Sequence, residues 1–230
     1  ILFKKKYIKY IMNKSEYYVI NLKRRLDRFE LFKKNFPLDI SKVNKFEAID
    51  GKTLENIPKY FNGLLSGEVG CFLSHKLLWE KILKDKDSEY YVIFEDDAKF
   101  SKNFIEDFNN IFNEFIDFDT ILYIGGRFTE NYKMNRCIKV KNKIVKYDYN
   151  KKWVGHDCDR TTHSYIISKK CCELFLENFY QRTKDYHLNN FTFPAVDHYM
   201  MDILRLNRKE IYHTYPLLCH SESGSDSDIR

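Results

Sequence analysis

Short, wholly apolar runs closed by polar residues alternate along this chain with longer stretches in which apolar positions recur every three or four residues. Tyr90 to Phe94 is five consecutive apolar or aromatic residues, followed at once by Glu95, Asp96 and Asp97. Such a run predicts a short strand buried on both faces, as in a parallel sheet covered by helices. Tyr17 to Leu22, Phe46 to Gly51, Thr120 to Ile124, His163 to Ser168 and Ile211 to Tyr215 read as further strands, the second of them ending in an Asp-Gly turn. Cys137 to Tyr149 changes to an alternation that predicts an antiparallel hairpin.

The helical stretches fall between these runs. Leu26, Phe29, Phe32 and Phe36 form one face of a helix that Pro37 stops. Ser66 is placed to cap a helix to about Lys84, with Val69, Phe72, Leu73, Trp79, Ile82 and Leu83 as its buried stripe. Gly67 and Gly70 in the first turn of that helix each cost roughly 1 kcal/mol in propensity, which implies a close approach to the backbone there. Ser101 is expected to cap a helix carrying Ile105, Phe108, Phe112 and Phe115, and Ser168 one running through Phe175 and Phe179. A last helix runs from Pro194 to about Leu206, with Met200, Ile203 and Leu204 inward. Strand and helix alternate through the first 125 residues and antiparallel elements follow. The fold class is therefore α/β, a mixed sheet flanked by helices with an antiparallel C-terminal part.

At 230 residues the chain is long enough for one domain with a sizeable core. Its charge of +6 is concentrated at the front, where residues 1 to 35 hold eleven Lys and Arg against Glu16, Asp27 and Glu30. Residues 1–16 read as a solvated basic leader and 17–230 as the domain, so no nucleic-acid partner is expected. No run approaches the roughly 18 apolar residues of a membrane span, and the first residues lack the apolar core of a signal peptide. Cys71, Cys137, Cys158, Cys171, Cys172 and Cys219 show no C-x-x-C spacing, which argues for free thiols and against zinc. Together these favour a cytoplasmic, viral or bacterial-type protein over one in a secretory lumen. The oligomeric state is left open, a dimer included.

The chemistry is concentrated at the strand ends. In an open α/β sheet, ligands sit beyond the carboxyl ends of the strands. In an extended chain the side-chain period of two puts Glu95 and Asp97 on one side and Asp96 on the other. Two same-side carboxylates suit Mn²⁺ or Mg²⁺; on this stretch alone a solvated acidic turn is an equal reading. The first strand feeds Lys23, Arg24, Arg25, Leu26, Asp27 and Arg28 at the opening of a helix, a setting for a diphosphate. The alternative is that Arg25 and Arg28 pair with Asp27 and Glu30 on the helix surface. Ser74 and His75 lie within two turns of the glycine-bearing helix start, where they could reach a ligand or simply pack. Asp197, in the first turn of the last helix, either serves the helix electrostatics or points into a cleft.

The run Val19 to Arg28, then Glu47 to Gly51, Gly67 to His75, Phe94 to Asp97, Ile121 to Gly125, Ser164 to Ser168, Pro194 to Asp197 and Ser225 to Ile229 resembles glycosyltransferase family 25, in order and spacing. That family includes procollagen galactosyltransferases and bacterial lipooligosaccharide galactosyltransferases. The resemblance implies a GT-A-like, Rossmann-like fold, a UDP-sugar donor carrying galactose or glucose, Mn²⁺ held by a D-x-D-type motif, inversion at the anomeric carbon, and a protein hydroxyl or glycan as acceptor. By position, Glu95, Asp96 and Asp97 look like that motif, with metal ligation by Glu95 and Asp97 and resting mainly on Asp97. Asn21, Leu22, Arg25 and Arg28 look like the nucleotide-contacting loop, and Ser74 and His75 like lining of the donor site. His220 sits where related enzymes place a C-terminal metal-binding histidine. Asp197 is the candidate base for the acceptor hydroxyl, with Asp157 and Asp159 as competitors. A nucleotidyltransferase built on the same acids, or a nucleic-acid or glycan-binding module without catalysis, are the other classes.

Overall fold

The computed structural model of the chain describes residues 15–114, 119–126, 137–141, 143–150, 161–189 and 191–221. Its centre is an eight-stranded sheet of order β2-β1-β3-β9-β5-β10-β8-β7. The strands are β1 (Ser15–Leu22), β2 (Val43–Ala48), β3 (Tyr90–Glu95), β5 (Ile121–Tyr123), β7 (Cys137–Lys141), β8 (Ile144–Tyr147), β9 (Ser164–Ser168) and β10 (Ile211–Thr214). Two-residue strands β4 (Lys99–Phe100), β6 (Gly125–Gly126) and β11 (Cys219–His220) make a small second sheet.

Period-two alternation divides each central strand between two cores. Tyr18, Ile20, Tyr91, Ile93, Tyr165, Ile167, Ile121 and Tyr123 face one side. Against them pack α2 (Ser66–Lys84), α4 (Lys169–Asn189) and α5 (Val196–Leu206). Tyr17, Val19, Val92, Phe94, Leu122 and Ile166 face the other side, where α1 (Leu26–Asn35) and α3 (Phe104–Glu114) contribute Phe32, Phe104, Phe108 and Ile111. Two covered faces explain why these strands are apolar throughout. The architecture is the expected mixed α/β sheet flanked by helices, consistent with a GT-A-like fold. It departs from the parallel setting expected for β3. That strand is parallel to β1, but its other neighbour is β9, antiparallel, with Phe94 opposite Ser164.

Several local expectations shift by a residue or a face. Leu65, not Ser66, occupies the N-cap of α2, and the Glu68 carboxylate accepts its N–H at 2.8 Å. The N3 carboxylate thus satisfies the backbone N–H of the N-cap residue, the Glu half of a capping box, without a serine hydroxyl at the cap. The stripe of α2 is Val69, Phe72, Leu78, Trp79 and Ile82, whereas Leu83 is exposed. Leu26 and Ile105 are exposed too. On α3 the buried residues are Phe104, Phe108 and Ile111: Phe108 is inward as predicted, whereas Phe104 rather than Ile105 is buried at the helix start, because two overlapping apolar registers coexist in its sequence. The Ser101 hydroxyl has no partner among the described residues, and the Phe104 N–H instead meets the Ser101 carbonyl. Ser168 caps α4 as expected, accepting from the Cys171 N–H at 3.2 Å. The leader up to residue 14, Phe115, Asp157, Asp159 and Ser225 to Ile229 lie outside the described residues. Among the described residues no helix is long and apolar enough to cross a membrane.

One core residue makes the fold acid-sensitive. His213 on β10 is fully buried and stacked on Tyr123, ring centroids 5.1 Å apart, with neither ring nitrogen hydrogen-bonded among the described residues. Burial holds its pKa at about 4, down from 6.5. Between those values the unfolded chain takes up a proton that the folded chain refuses, so stability falls as pH drops through this window and is untouched above it. The loss is about 2 kcal/mol between pH 7 and pH 5. His213→Phe, which keeps the stacked ring, is expected to remove that difference, read from urea unfolding at the two pH values.

Candidate active site

Parity places the acidic side chains. Tyr91 and Ile93 face the α2 side, so Glu95 does as well; Val92 and Phe94 face the α1 side, and Asp96 follows them. Glu95 Oε1 lies 3.3 Å from His75 Nε2 and accepts a short bond from the Thr162 hydroxyl. Asp96 is held by Asn21 Nδ2 at 2.6 Å and by Arg28 at 2.6 Å. Asn21 Nδ2 also donates to the Arg25 carbonyl at 2.9 Å. Asp96 therefore clamps the end of β3 to the loop that opens α1.

Asp97 returns toward Glu95. Its Oδ2 is 3.2 Å from Arg28 and 3.9 Å from His163 Nε2, while its Oδ1 is buried with no hydrogen-bond partner among the described residues. His163 precedes β9, and the antiparallel register brings it opposite Glu95, whose N–H donates to the His163 carbonyl at 2.9 Å. One donor atom each from Glu95, Asp97 and His163 lies within 4.8 Å of the others. Cys71, His75 and Glu95 form a second such group. Cys71 and His75 are four apart on α2 and so share a face.

The electrostatics set the three acids apart. Burial works to raise Glu95, but its His75 bond, the nearby His163 charge and the Thr162 bond prevail and bring it down to about 2. Burial pushes Asp96 up to about 6 against the pull of Arg28 and Asn21. Burial, followed by the charge of Glu95, raises Asp97. Two carboxylates this close, one of them held ionised, attract a cation. Burial also raises the Cys71 thiol well above its ordinary value, helped by the charges of Glu95, Asp197 and Asp97. Asp197 itself lies in the first turn of α5, where it accepts from the His198 N–H at 2.8 Å.

Behind Glu95 runs a buried chain of hydrogen bonds. Trp79 Nε1 donates to the Tyr165 oxygen at 3.3 Å, and the Tyr165 hydroxyl lies 2.7 Å from His75 Nδ1. Indole can only donate, so the phenol proton is left for Nδ1 and the imidazole proton for Glu95. His75 is thereby fixed in the tautomer that steadies the carboxylate.

The family model described as glycosyltransferase family 25 (LPS biosynthesis protein) matches residues 14–200. This chain belongs to glycosyltransferase family 25. A protein of Acanthamoeba polyphaga mimivirus named as a glycosyltransferase is 37% identical over 116 residues, 46% of this chain and 36% of that protein. Human procollagen galactosyltransferase 2 is 29% identical over 164 residues, 63% of this chain and 26% of its own length. The inactive glycosyltransferase 25 family member 3 of mouse is 35% identical over 109 residues, 40% of this chain and 18% of its own. The chain thus spans about a third or less of each of these relatives. Since the family includes a member named inactive, the arrangement of side chains, rather than membership, has to carry the reading of function.

Set against the residues expected from the family pattern, the structure brings Asn21, Arg28, Glu95, Asp96, Asp97 and His75 together. Leu22 ends β1 beside them. Arg25 sits at the N-cap of α1 and pairs with Asp27 at 2.9 Å, as in the surface reading, whereas Arg28 turns to the acids. Ser74 is buried, donating to the Gly70 carbonyl at 2.7 Å and accepting from the Ile49 N–H at 2.8 Å, so its hydroxyl ties α2 to the segment after β2. His220 is exposed on β11, opposite Lys99, beyond the matched residues and in neither donor group. His163, Thr162 and Cys71 carried no predicted role. The signal for the first two was the polar run Thr161 to Ser164 feeding an apolar strand; it becomes meaningful only once that strand runs antiparallel to β3.

Proposed function

We propose that this domain binds a nucleotide sugar, a UDP-hexose carrying galactose or glucose, with Mn²⁺, and transfers the sugar with inversion to a hydroxyl of a protein or glycan acceptor. The observation that carries the reading is the Glu95, Asp97 and His163 group at the carboxyl end of parallel β1 and β3, with the Arg28 guanidinium beside it. Two oxygens and one imidazole nitrogen suit Mn²⁺, and Asp97 Oδ1, buried with no hydrogen-bond partner among the described residues, leaves coordinating capacity there. Glu95, Asp97 and His163 would hold the ion, which when bound neutralises charge accumulating on a diphosphate leaving group.

The chain's own residues supply the remainder. Arg28 is already desolvated against Asp96 and Asp97, and it can turn to a diphosphate oxygen without crossing open solvent. The first turn of α1, which Arg28 brings beside the acids, is where a helix N-terminus can offer backbone N–H groups to the same anion. His75 and Thr162 hold Glu95 ionised and in place. Asp197 is the base: it takes the proton of the acceptor hydroxyl as that oxygen bonds to the anomeric carbon and the bond to the diphosphate oxygen breaks.

The test is a thermal-shift screen of UDP and UDP-sugars with and without Mn²⁺. A ligand at about 100 times its dissociation constant adds roughly 2.7 kcal/mol, and the stabilisation is expected only with nucleotide and Mn²⁺ together. Stabilisation by nucleoside triphosphates and none by UDP-sugars would overturn the reading. In Asp197→Asn the donor shift is expected to persist while turnover on an accepted substrate drops about 100-fold or more; near-normal turnover would mean that another residue is the base.

A further inference from the structure

We propose that Cys71, His75 and Glu95 form a second cation site, for a thiophilic divalent ion of the zinc class, and that its occupation antagonises the ion at Glu95, Asp97 and His163. The site itself does not depend on the transferase reading. The antagonism rests on the metal group assigned there.

One thiol sulfur, one imidazole nitrogen and one carboxylate oxygen lie within 4.8 Å of one another. Small side-chain rotations close that spread to the spacing of about 4 Å or less between ligands of a tetrahedral zinc. Sulfur and imidazole are soft or borderline ligands that favour zinc over Mn²⁺ and Mg²⁺, whereas the neighbouring group is richer in oxygen. The two groups therefore sort ions by softness across a single shared residue. Glu95, Asp97 and Asp197 all bear on Cys71 electrostatically, so the pocket attracts a cation. Cysteine spacing argued against zinc, and no Cys pair is used here. The ligands come from a Cys-x₃-His pair on one face of α2 and from a strand end twenty residues beyond His75.

The surroundings also suit a metal-bound imidazole. Such a histidine nearly always donates its second N–H to a fixed acceptor. His75 is fully buried, and its Nδ1 lies 2.7 Å from the Tyr165 hydroxyl. When Nε2 takes the ion, its proton moves to Nδ1, whose N–H then donates to the Tyr165 oxygen while the phenol proton turns away from Nδ1, and Cys71 binds as the thiolate, releasing its proton to solvent. His75 then no longer donates to Glu95, and Glu95 turns from a ligand of the hard group into a ligand of the soft one. That exchange is the source of the antagonism.

Co²⁺ is the probe, added to the full chain and followed by its near-ultraviolet thiolate-to-cobalt charge-transfer band. The band is expected in the wild type, in Cys137→Ser and in His163→Ala, and it is expected to be absent from Cys71→Ser and Cys71→Ala, of which either suffices if it melts like the wild type. No band in the wild type, or one that survives loss of Cys71, overturns the site. Mn²⁺ binding read by electron paramagnetic resonance tests the coupling: Zn²⁺ is expected to weaken it about tenfold or more in the wild type and far less in Cys71→Ser. A cobalt band without that competition overturns the antagonism and leaves the site. Failure of the wild type to bind Mn²⁺ at all overturns the antagonism together with the metal group of the transferase reading, while the cobalt result stands by itself.

Discussion

Asp97→Asn is expected to abolish the Mn²⁺-dependent stabilisation by UDP and to lower sugar transfer at least about 100-fold, while the unliganded protein melts no lower than the wild type. The two halves of this result follow from the same geometry. Asp97 is largely desolvated, and its pKa is raised first by burial and then by the charge of Glu95. The folded apoprotein therefore carries a strained pair of carboxylates, and an amide of the same shape relieves the repulsion. What the amide cannot do is present an anionic Oδ1, which in the wild type lies buried with no hydrogen-bond partner among the described residues, to a cation. The Arg28 contact at 3.2 Å is also lost, but Asp96 retains Arg28 at 2.6 Å, so the loop after β1 stays where it is. Thermal shift with and without Mn²⁺ and UDP, together with a transfer assay, separates these effects. Retained activity would remove Asp97 from the reaction.

Gly51→Ala is expected to destabilise the protein by more than about 3 kcal/mol, enough to leave much of it unfolded at 37 °C. A Cβ built on Gly51 would lie 1.6 Å from the Ser66 carbonyl oxygen and 2.5 Å from its carbon, both backbone atoms at the start of α2. Gly70 meets the same contact from the helix side, its would-be Cβ 2.6 Å from the Gly51 nitrogen and the Ile49 oxygen. The pair lets the segment after β2 lie directly on the first turns of α2, and the Ser74 hydroxyl bonds across the same junction. No rotamer change relieves a clash between two backbones. The substitution must push α2 outward, and with it Cys71 and His75, so the donor groups around Glu95 open as stability falls. Chemical unfolding followed by tryptophan fluorescence measures the loss, since Trp79 sits lower on the same helix. A variant as stable as the wild type would show that the two backbones do not meet at Gly51.

The close approach at the start of α2 was legible from two glycines in a helical turn, of which Gly70 makes it; its partner was not, because nothing local says that Gly51 is the surface Gly70 meets. The same division applies to the acids. An apolar run ending in Glu95, Asp96 and Asp97 indicates a strand whose end bears chemistry, and period two separates Asp96 from the other two. Which cation answers each carboxylate is a question of distance in space, and Arg28 rather than Arg25 proved to be the one that does. His163 was hidden for a related reason. Its role depends on β9 running antiparallel beside β3, and strand direction leaves no mark on a run that is apolar on both faces. On α3 the sequence placed Phe108 inward correctly but chose Ile105 over Phe104, because two overlapping apolar registers satisfy a helical period equally and only the sheet beneath selects Phe104.

By itself, then, the sequence determined the class of fold, the order of its strands and helices along the chain, the family, and the strand end at which the acids gather. These properties reside in hydrophobic period and in motif order, both of which act over a few neighbouring residues. The tertiary structure alone decided the pairing of β3 with β9, the grouping of Glu95 with Asp97 and His163 on one side and with Cys71 and His75 on the other, and the structural use of Ser74. Those depend on which distant segments a twisted, mixed sheet brings side by side, and the free energy that selects that arrangement is summed over two cores rather than written in any one stretch.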